Sequence, residues 1–197
     1  MSITKRDRLL VNLMDNELKC ISTRQVGMLP MFNCNGTAVN RRLKKIVEYG
    51  LLQREMIEII GNMYVYYSKW DKRLTREIEH SLAITDVYIA LLRAEYEIIE
   101  FIVEKGIRYK ANGKEKMIIP DIMVCARDKE GKLRGWFIEI CLDKKVDYII
   151  KKYNCYKTYY IPQREKKTRA RELLIIGDVE GGISGDIWLL ECYFKSL

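Results

Sequence analysis

The sequence predicts an α/β chain, α+β overall, whose two parts follow different periodicities. From Ser22 to Tyr67, helical spacing, turn residues and β-prone runs succeed one another in the pattern of a helix-turn-helix with a hairpin wing. From Lys72 onward a long amphipathic helix leads into apolar β-rich runs crossed by a second helix, in the order α-β-β-β-α-β. The expected regions are therefore 1–71 and 72–197.

Ser22 and Thr23 can each cap a helix through a side-chain oxygen, and Gln25 stands three residues after Ser22 in a capping-box arrangement. The helix they begin turns Val26 and Leu29 inward and stops at Pro30, after which Asn33, Asn35 and Gly36 supply turn chemistry. Thr37 is expected to cap the next helix. There Val39, Leu43, Ile46 and Val47 share one face, and Asn40, Arg41, Lys44 and Lys45 occupy the other. Gly50 ends that helix, Leu51-Leu52 begins an extended run, and Gly61-Asn62 turns the chain between Met56 to Ile60 and Met63 to Tyr67.

A helix with one docked apolar face and one basic face suits the major groove of double-stranded DNA, where Arg and Lys reach guanine and Asn pairs with adenine. Asn40, Arg41 and Lys44 are the candidates for base readout, with Thr37 at the helix start. Ser22, Thr23, Arg24, Lys45, Arg54 and Lys69 are the candidates for phosphate contact, which fixes register without reading sequence. The competing reading is a solvated basic face on a helical subdomain, or a winged helix used for protein contact.

With 197 residues and 48% hydrophobic content, the chain can bury one or two ordinary cores. A net charge of +8 favours a polyanionic partner, although charge also serves solubility. The N-terminus lacks a basic segment followed by an apolar one, and no run approaches the roughly 18 apolar residues of a membrane span, so a cytoplasmic protein without membrane contact is expected. The six cysteines, Cys20, Cys34, Cys125, Cys141, Cys155 and Cys192, form no C-x-x-C pair and have a single histidine to join them, which argues against zinc. Cys125 and Cys141 lie in apolar runs and are expected to be buried and reduced.

Helical periodicity from Lys72 to Glu97 aligns Ala83, Ile84, Val87, Ala90, Leu91 and Ala94, in a helix expected to connect the two parts. His80 shares that stripe, with Asp86 across from it, and reads as a packed core residue more readily than a catalytic one. Strands are expected over Ile98 to Val103, Met117 to Ala126, Gly135 to Leu142 and Leu173 to Ile176. Val146, Ile149, Ile150, Tyr153, Tyr156 and Tyr160 mark a helix before the last of them. Gly181-Gly182-Ile183-Ser184-Gly185 reads as a turn before a final strand rather than a phosphate cradle, because no lysine and helix follow it.

Ile118-Ile119-Pro120-Asp121 places an acid at the start of one strand, and Trp136-Phe137-Ile138-Glu139-Ile140-Cys141 places another inside the next. Side by side in a hairpin, Asp121 and Glu139 would be able to hold Mg2+ or Mn2+ against a phosphate. This arrangement resembles the PD-(D/E)xK nuclease fold, whose core has the same order of elements and whose second acid is usually followed two residues later by lysine. Here that position is Cys141, which leaves Lys144, Lys145 or Lys151 as candidates for the missing cation. The alternative is a nuclease-like sheet with structural acids, Glu139 being satisfied by a neighbouring Lys or Tyr.

Taken in order, residues 20 to 160 resemble the replication-relaxation family of plasmid and mobile-element proteins. The resemblance rests on Ser22-Thr23-Arg24-Gln25, Arg41-Arg42-Leu43, Glu48-Tyr49-Gly50-Leu51-Leu52, His80 to Val87, Pro120-Asp121, Phe137 to Ile140 and Lys152-Tyr153. Family members commonly carry an aspartate where Cys141 stands, so this chain lacks an acid as well as the strand lysine. The resemblance implies a winged helix joined to a nuclease-like domain, with a role in plasmid replication or in changing plasmid DNA topology.

Between Lys151 and Arg171 lie eight bases, among them Lys166, Lys167 and Arg169, and one acid, Glu165. Binding through such a segment would weaken steeply with salt, whereas the interleaved tyrosines read as core. Two functions follow. One is a DNA-binding initiator or regulator with a silent nuclease-like domain, as a homodimer on paired half-sites and with replication proteins as further partners. The other is a metal-dependent nicking endonuclease using Asp121 and Glu139, with Lys144 as its cation.

Overall fold

The computed structural model describes residues 2–32, 34–58, 63–70, 78–142, 146–156, 158 and 172–177. Helices and antiparallel strands are both abundant, and the chain is α+β. It divides into two units, Met1–Ala94 and Glu95–Leu197.

The first unit opens with a helix that the sequence reading left out, α1 (Lys5–Asn16). Thr4 caps it and Asp7 closes the capping box, satisfying N-terminal amides that have no partner within the helix. A short strand, β1 (Cys20–Ser22), leads into α2 (Thr23–Met28), where the expected Ser22 and Gln25 capping box is present. The next helix, α3 (Gly36–Glu48), is capped by Asn35 rather than Thr37, its side-chain oxygen accepting from the Ala38 amide at 2.9 Å. Val39, Leu43 and Ile46 are its buried residues. At its exit Gly50 has φ +66°, a conformation that costs glycine little, and the Leu51 amide donates to the Ile46 carbonyl.

The strands β2 (Leu52–Ile57) and β3 (Met63–Ser68) pair antiparallel, and β1 joins the other edge of β3. The extended run expected from Leu51-Leu52 is β2, in which every residue from Leu52 to Ile57 finds a partner on β3. The expected Gly61-Asn62 turn lies outside the described residues.

The helix expected from Lys72 to Glu97 is described as α4 (Ile78–Arg93) and belongs to the first unit. The predicted boundary after residue 71 therefore moves to follow Ala94. Packing explains the difference: Thr85 Oγ1 donates to the Cys20 carbonyl at 2.6 Å, and Leu82 joins Cys20, Val65 and Tyr67 in a buried cluster.

The second unit is a four-stranded sheet ordered β4-β7-β8-β9, with a separate β5-β6 hairpin. Its strands are β4 (Glu97–Val103), β5 (Ile107–Ala111), β6 (Lys114–Ile118), β7 (Ile122–Arg127), β8 (Leu133–Cys141) and β9 (Glu172–Gly177). Neighbours pair antiparallel except β8 and β9, which run parallel and are separated in sequence by α5 (Val146–Cys155).

The single strand expected over Met117 to Ala126 is two. Pro120 has no amide to give a ladder, and the chain leaves β6 after Ile118 and resumes pairing at Ile122. The unexpected β5-β6 hairpin turns at Asn112-Gly113, both at positive φ. Ile107, Tyr109, Ala111 and Ile118 of this hairpin are buried with Met123, Phe137 and Tyr156. The predicted order α-β-β-β-α-β is present along the chain as α4-β4-β7-β8-α5-β9, with a hairpin inserted after its first strand and with its leading helix in the first unit. The Gly181 to Gly185 stretch and the strand expected after it lie outside the described residues.

Candidate functional site

Each unit gathers one group of polar and charged side chains. On α3 the residues Thr37, Asn40, Arg41 and Lys44 are exposed and recur at helical spacing, opposite the buried Val39, Leu43 and Ile46. Lys44 is held only loosely, 3.9 Å from Glu48 one turn on. Lys45 is half-buried. Arg54 is exposed on β2 and stacks over the Tyr64 ring at 4.8 Å, and Lys69 lies 4.7 Å over the ring of Trp70, itself 74% exposed.

Ser22 is a correction. It is buried, and its hydroxyl faces the Gln25 capping box, so it cannot also hold a phosphate. Thr23 is half-buried and Arg24 exposed. Gln25, which the sequence shows only as a capping residue, also donates from Nε2 to the Leu82 carbonyl and to Asp86 Oδ1, each at 2.8 Å. Burial raises the Asp86 carboxyl above its ordinary value, against the smaller opposing effects of Gln25 and Arg24.

The orientation of α3 depends on a joint that sequence reading missed. Asp7 is buried, and Arg42, whose side chain is 13% exposed, donates from Nε to Asp7 Oδ1 at 3.1 Å and from Nη2 to Oδ2. Thr4 donates its amide and hydroxyl to the same Oδ2. One carboxylate therefore caps α1 and fastens α3. The Thr4-x-x-Asp7 spacing was a readable signal for the cap, but nothing local marks Arg42 as its partner.

In the second unit the β7-β8 register pairs Ile122 with Ile138, and one further step sets Asp121 opposite Glu139. The two acids expected to meet in a hairpin do so. Glu139 is buried at 2% exposure. Lys152 of α5 donates from Nζ to Glu139 Oε2 at 2.6 Å and stands 3.7 Å from Asp121 Oδ1. Tyr156 donates its hydroxyl to Glu139 Oε1 at 3.0 Å, and the Ile140 amide donates to Asp121 Oδ2 at 2.7 Å.

Burial and, to a lesser extent, the Asp121 charge push the Glu139 carboxyl up to about 7, against the opposing pull of Lys152 and Tyr156. Burial alone would lower Lys152, but the two carboxylates and Tyr148 together raise it. The directions agree with one charge inventory, in which two acids share one ammonium.

Among the expected cations, Lys144 and Lys145 lie outside the described residues, and Lys151 is exposed. Lys152, which was not among them, is the base that reaches both carboxylates. The signal for it was spacing: Tyr148, Lys152 and Tyr156 recur every four residues, and Lys152 Nζ lies 5.0 Å over the Tyr148 ring. Cys141 is buried and Cys125 half-buried, where both were expected to be buried. His80 is half-buried on α4. Lys166, Lys167 and Arg169 lie outside the described residues.

The fit of a divalent ion can be judged from the donors. Among the described residues no three His, Cys, Asp or Glu side chains gather closely enough to hold a metal. Both Glu139 oxygens and Asp121 Oδ2 already accept hydrogen bonds. The arrangement as it stands does not suit a resident ion. No helix among the described residues is long and apolar enough to cross a membrane. Comparison with protein-family models, curated proteins and solved structures finds no match.

Proposed function

We propose that the protein binds double-stranded DNA through a winged helix-turn-helix in its first unit, with α3 as the recognition helix and the β2-β3 hairpin as the wing. The exposed stripe of Thr37, Asn40, Arg41 and Lys44 on α3 carries this reading. It combines groups that pair with adenine and guanine edges on a helix held by a buried joint. On this reading Arg54 of β2 and Lys69 just after β3, with Thr23, Arg24 and Lys45, contact phosphates. The cellular role is replication initiation, DNA relaxation or its regulation on a plasmid or other mobile element, in the cytoplasm. The second unit is a nuclease-like sheet that performs no cleavage.

The test is selection of a duplex from a random pool, followed by titration of that duplex in chelator. Arg41→Ala should weaken binding by about 1–3 kcal/mol and relax preference at one base pair. Lys44→Ala should also weaken binding to the selected site. Unchanged affinity in both variants rules out α3 as the reading element.

A second reading, metal-dependent nicking, draws support from Lys152, which supplies beside Asp121 and Glu139 the cation that position 141 lacks. Asp121 and Glu139 would then hold the Mg2+ or Mn2+, whose chemistry would be activation of water at a phosphate. The occupied carboxylate oxygens weigh against it. Supercoiled plasmid that stays supercoiled with manganese excludes this reading, whereas open circles lost in Asp121→Ala/Glu139→Ala establish it.

A further inference from the structure

The acid pair poses an electrostatic problem that Lys152 solves. Two carboxylates opposite each other on neighbouring strands repel, and Glu139 has almost no water to screen it. The outer oxygens are taken by neutral donors, Glu139 Oε1 by Tyr156 and Asp121 Oδ2 by the Ile140 amide. The remaining two, Glu139 Oε2 and Asp121 Oδ1, both face the Lys152 ammonium, at 2.6 and 3.7 Å.

Asp121 and Glu139 are the residues that would hold a divalent ion. A Mg2+ or Mn2+ ion entering there would meet a positive charge already in place. It would also have to shed water into a site whose lysine is only 11% exposed.

We propose that Lys152 is the resident cation of the Asp121 and Glu139 pair, and that the pair is a latent divalent-ion site, opened by removal of the ammonium. The proposal rests on the reading of the second unit as nuclease-like and silent, and supplies a physical cause for the silence. Lys152 is a positioning residue: it holds the carboxylates together and stands where an ion would stand. Tyr156 and the Ile140 amide each hold one of the acids by a hydrogen bond that does not involve the lysine.

The experiment is Mn2+ uptake by the full chain, read from the electron paramagnetic resonance signal of the free ion, with thermal unfolding in parallel. Asp121→Asn/Glu139→Gln defines background. Wild type should take up no Mn2+ above that background and show no shift in thermal midpoint. Lys152→Met, which keeps the length of the side chain and removes its charge, should gain one equivalent of Mn2+ and an upward shift. Both should vanish in Lys152→Met/Glu139→Gln.

A wild-type equivalent lost in the background variant overturns the proposal, as does a folded Lys152→Met that takes up none. Should Lys152→Met fail to fold, Lys152→Gln keeps a donor toward Glu139 and is read the same way, and the wild-type arm needs no lysine variant. Retardation of duplex DNA in chelator is measured separately, so a failure of the DNA-binding reading is visible without reference to the metal count.

Discussion

Asp7 in the first unit and Glu139 in the second are buried carboxylates, each met by a base from a helix: Arg42 of α3 and Lys152 of α5. At Asp7 one acid faces one guanidinium, whose two donors reach both oxygens, while Thr4 adds its amide and hydroxyl. At Glu139 two acids face one ammonium, and the deficit is met by hydrogen bonds and by a raised carboxyl pKa. The first arrangement is a charge-balanced joint between elements. The second carries an excess negative charge, which only a proton or another cation can neutralise. The former fixes one helix against another, and the latter ties a helix to a sheet through a charge that is not balanced.

The sharpest way to break the comparison is to remove one base. Arg42→Ala leaves Asp7 buried beside Thr4 alone, and should cost about 3–5 kcal/mol of stability in the first unit. Denaturant unfolding measures it, with the Asp7→Asn/Arg42→Ala double variant recovering part of the loss. A loss below about 1 kcal/mol, the range of exposed pairs, would show that the joint is solvated.

A smaller effect is expected at the hydrogen-bond partner of the other acid. Tyr156→Phe removes the donor to Glu139 Oε1 without changing the shape of a ring stacked on Phe137 at 5.0 Å between centroids. Leaving that oxygen unsatisfied should destabilise by about 1–3 kcal/mol at a pH well above 7, where the carboxyl is charged, and by less in acid, where it is protonated. Equal losses at both pH values would mean that the phenol, not the carboxyl charge, decides the outcome.

Much of this contrast could be read from sequence, but unevenly. The Ser22 and Gln25 box, the α3 stripe and the Gly50 exit are local patterns, and the structure contains each. The Thr4 and Asp7 box and the Asn112-Gly113 turn are equally local signals. The opposition of Asp121 and Glu139 was legible because two strands joined by a short turn have few registers. Lys152 was harder to identify, because a lysine in an amphipathic helix ordinarily points to water and only the phase of α5 against β8 turns it inward. The pairing of Arg42 with Asp7 spans 35 residues and no periodicity encodes it. The α4 helix, expected to connect the two parts, has an apolar stripe that fits either core, and its grouping with the first unit follows from the Thr85, Gln25 and Leu82 contacts.

The subtlest prediction separates the two carboxylates by pH. Glu139 binds its proton up to about 7 in the folded chain, against an ordinary value of 4.5 once unfolded. Between these values the folded state holds a proton that the unfolded state has released, so stability from this group is fully present below 4.5 and is lost as pH rises through 7. Lys152 shifts in the same direction from an ordinary 10.5, and its contribution is lost only at higher pH, outside this window. Glu17 and Asp86 of the first unit are also raised by burial and add slopes of the same sign. The informative quantity is therefore the difference between wild type and Glu139→Gln, measured by denaturant unfolding at several pH values. The variant should gain stability relative to wild type steadily from pH 4.5 to 7 and hold that gain above it. A difference that stays flat would place Glu139 with Asp7, as an acid fully balanced by its base.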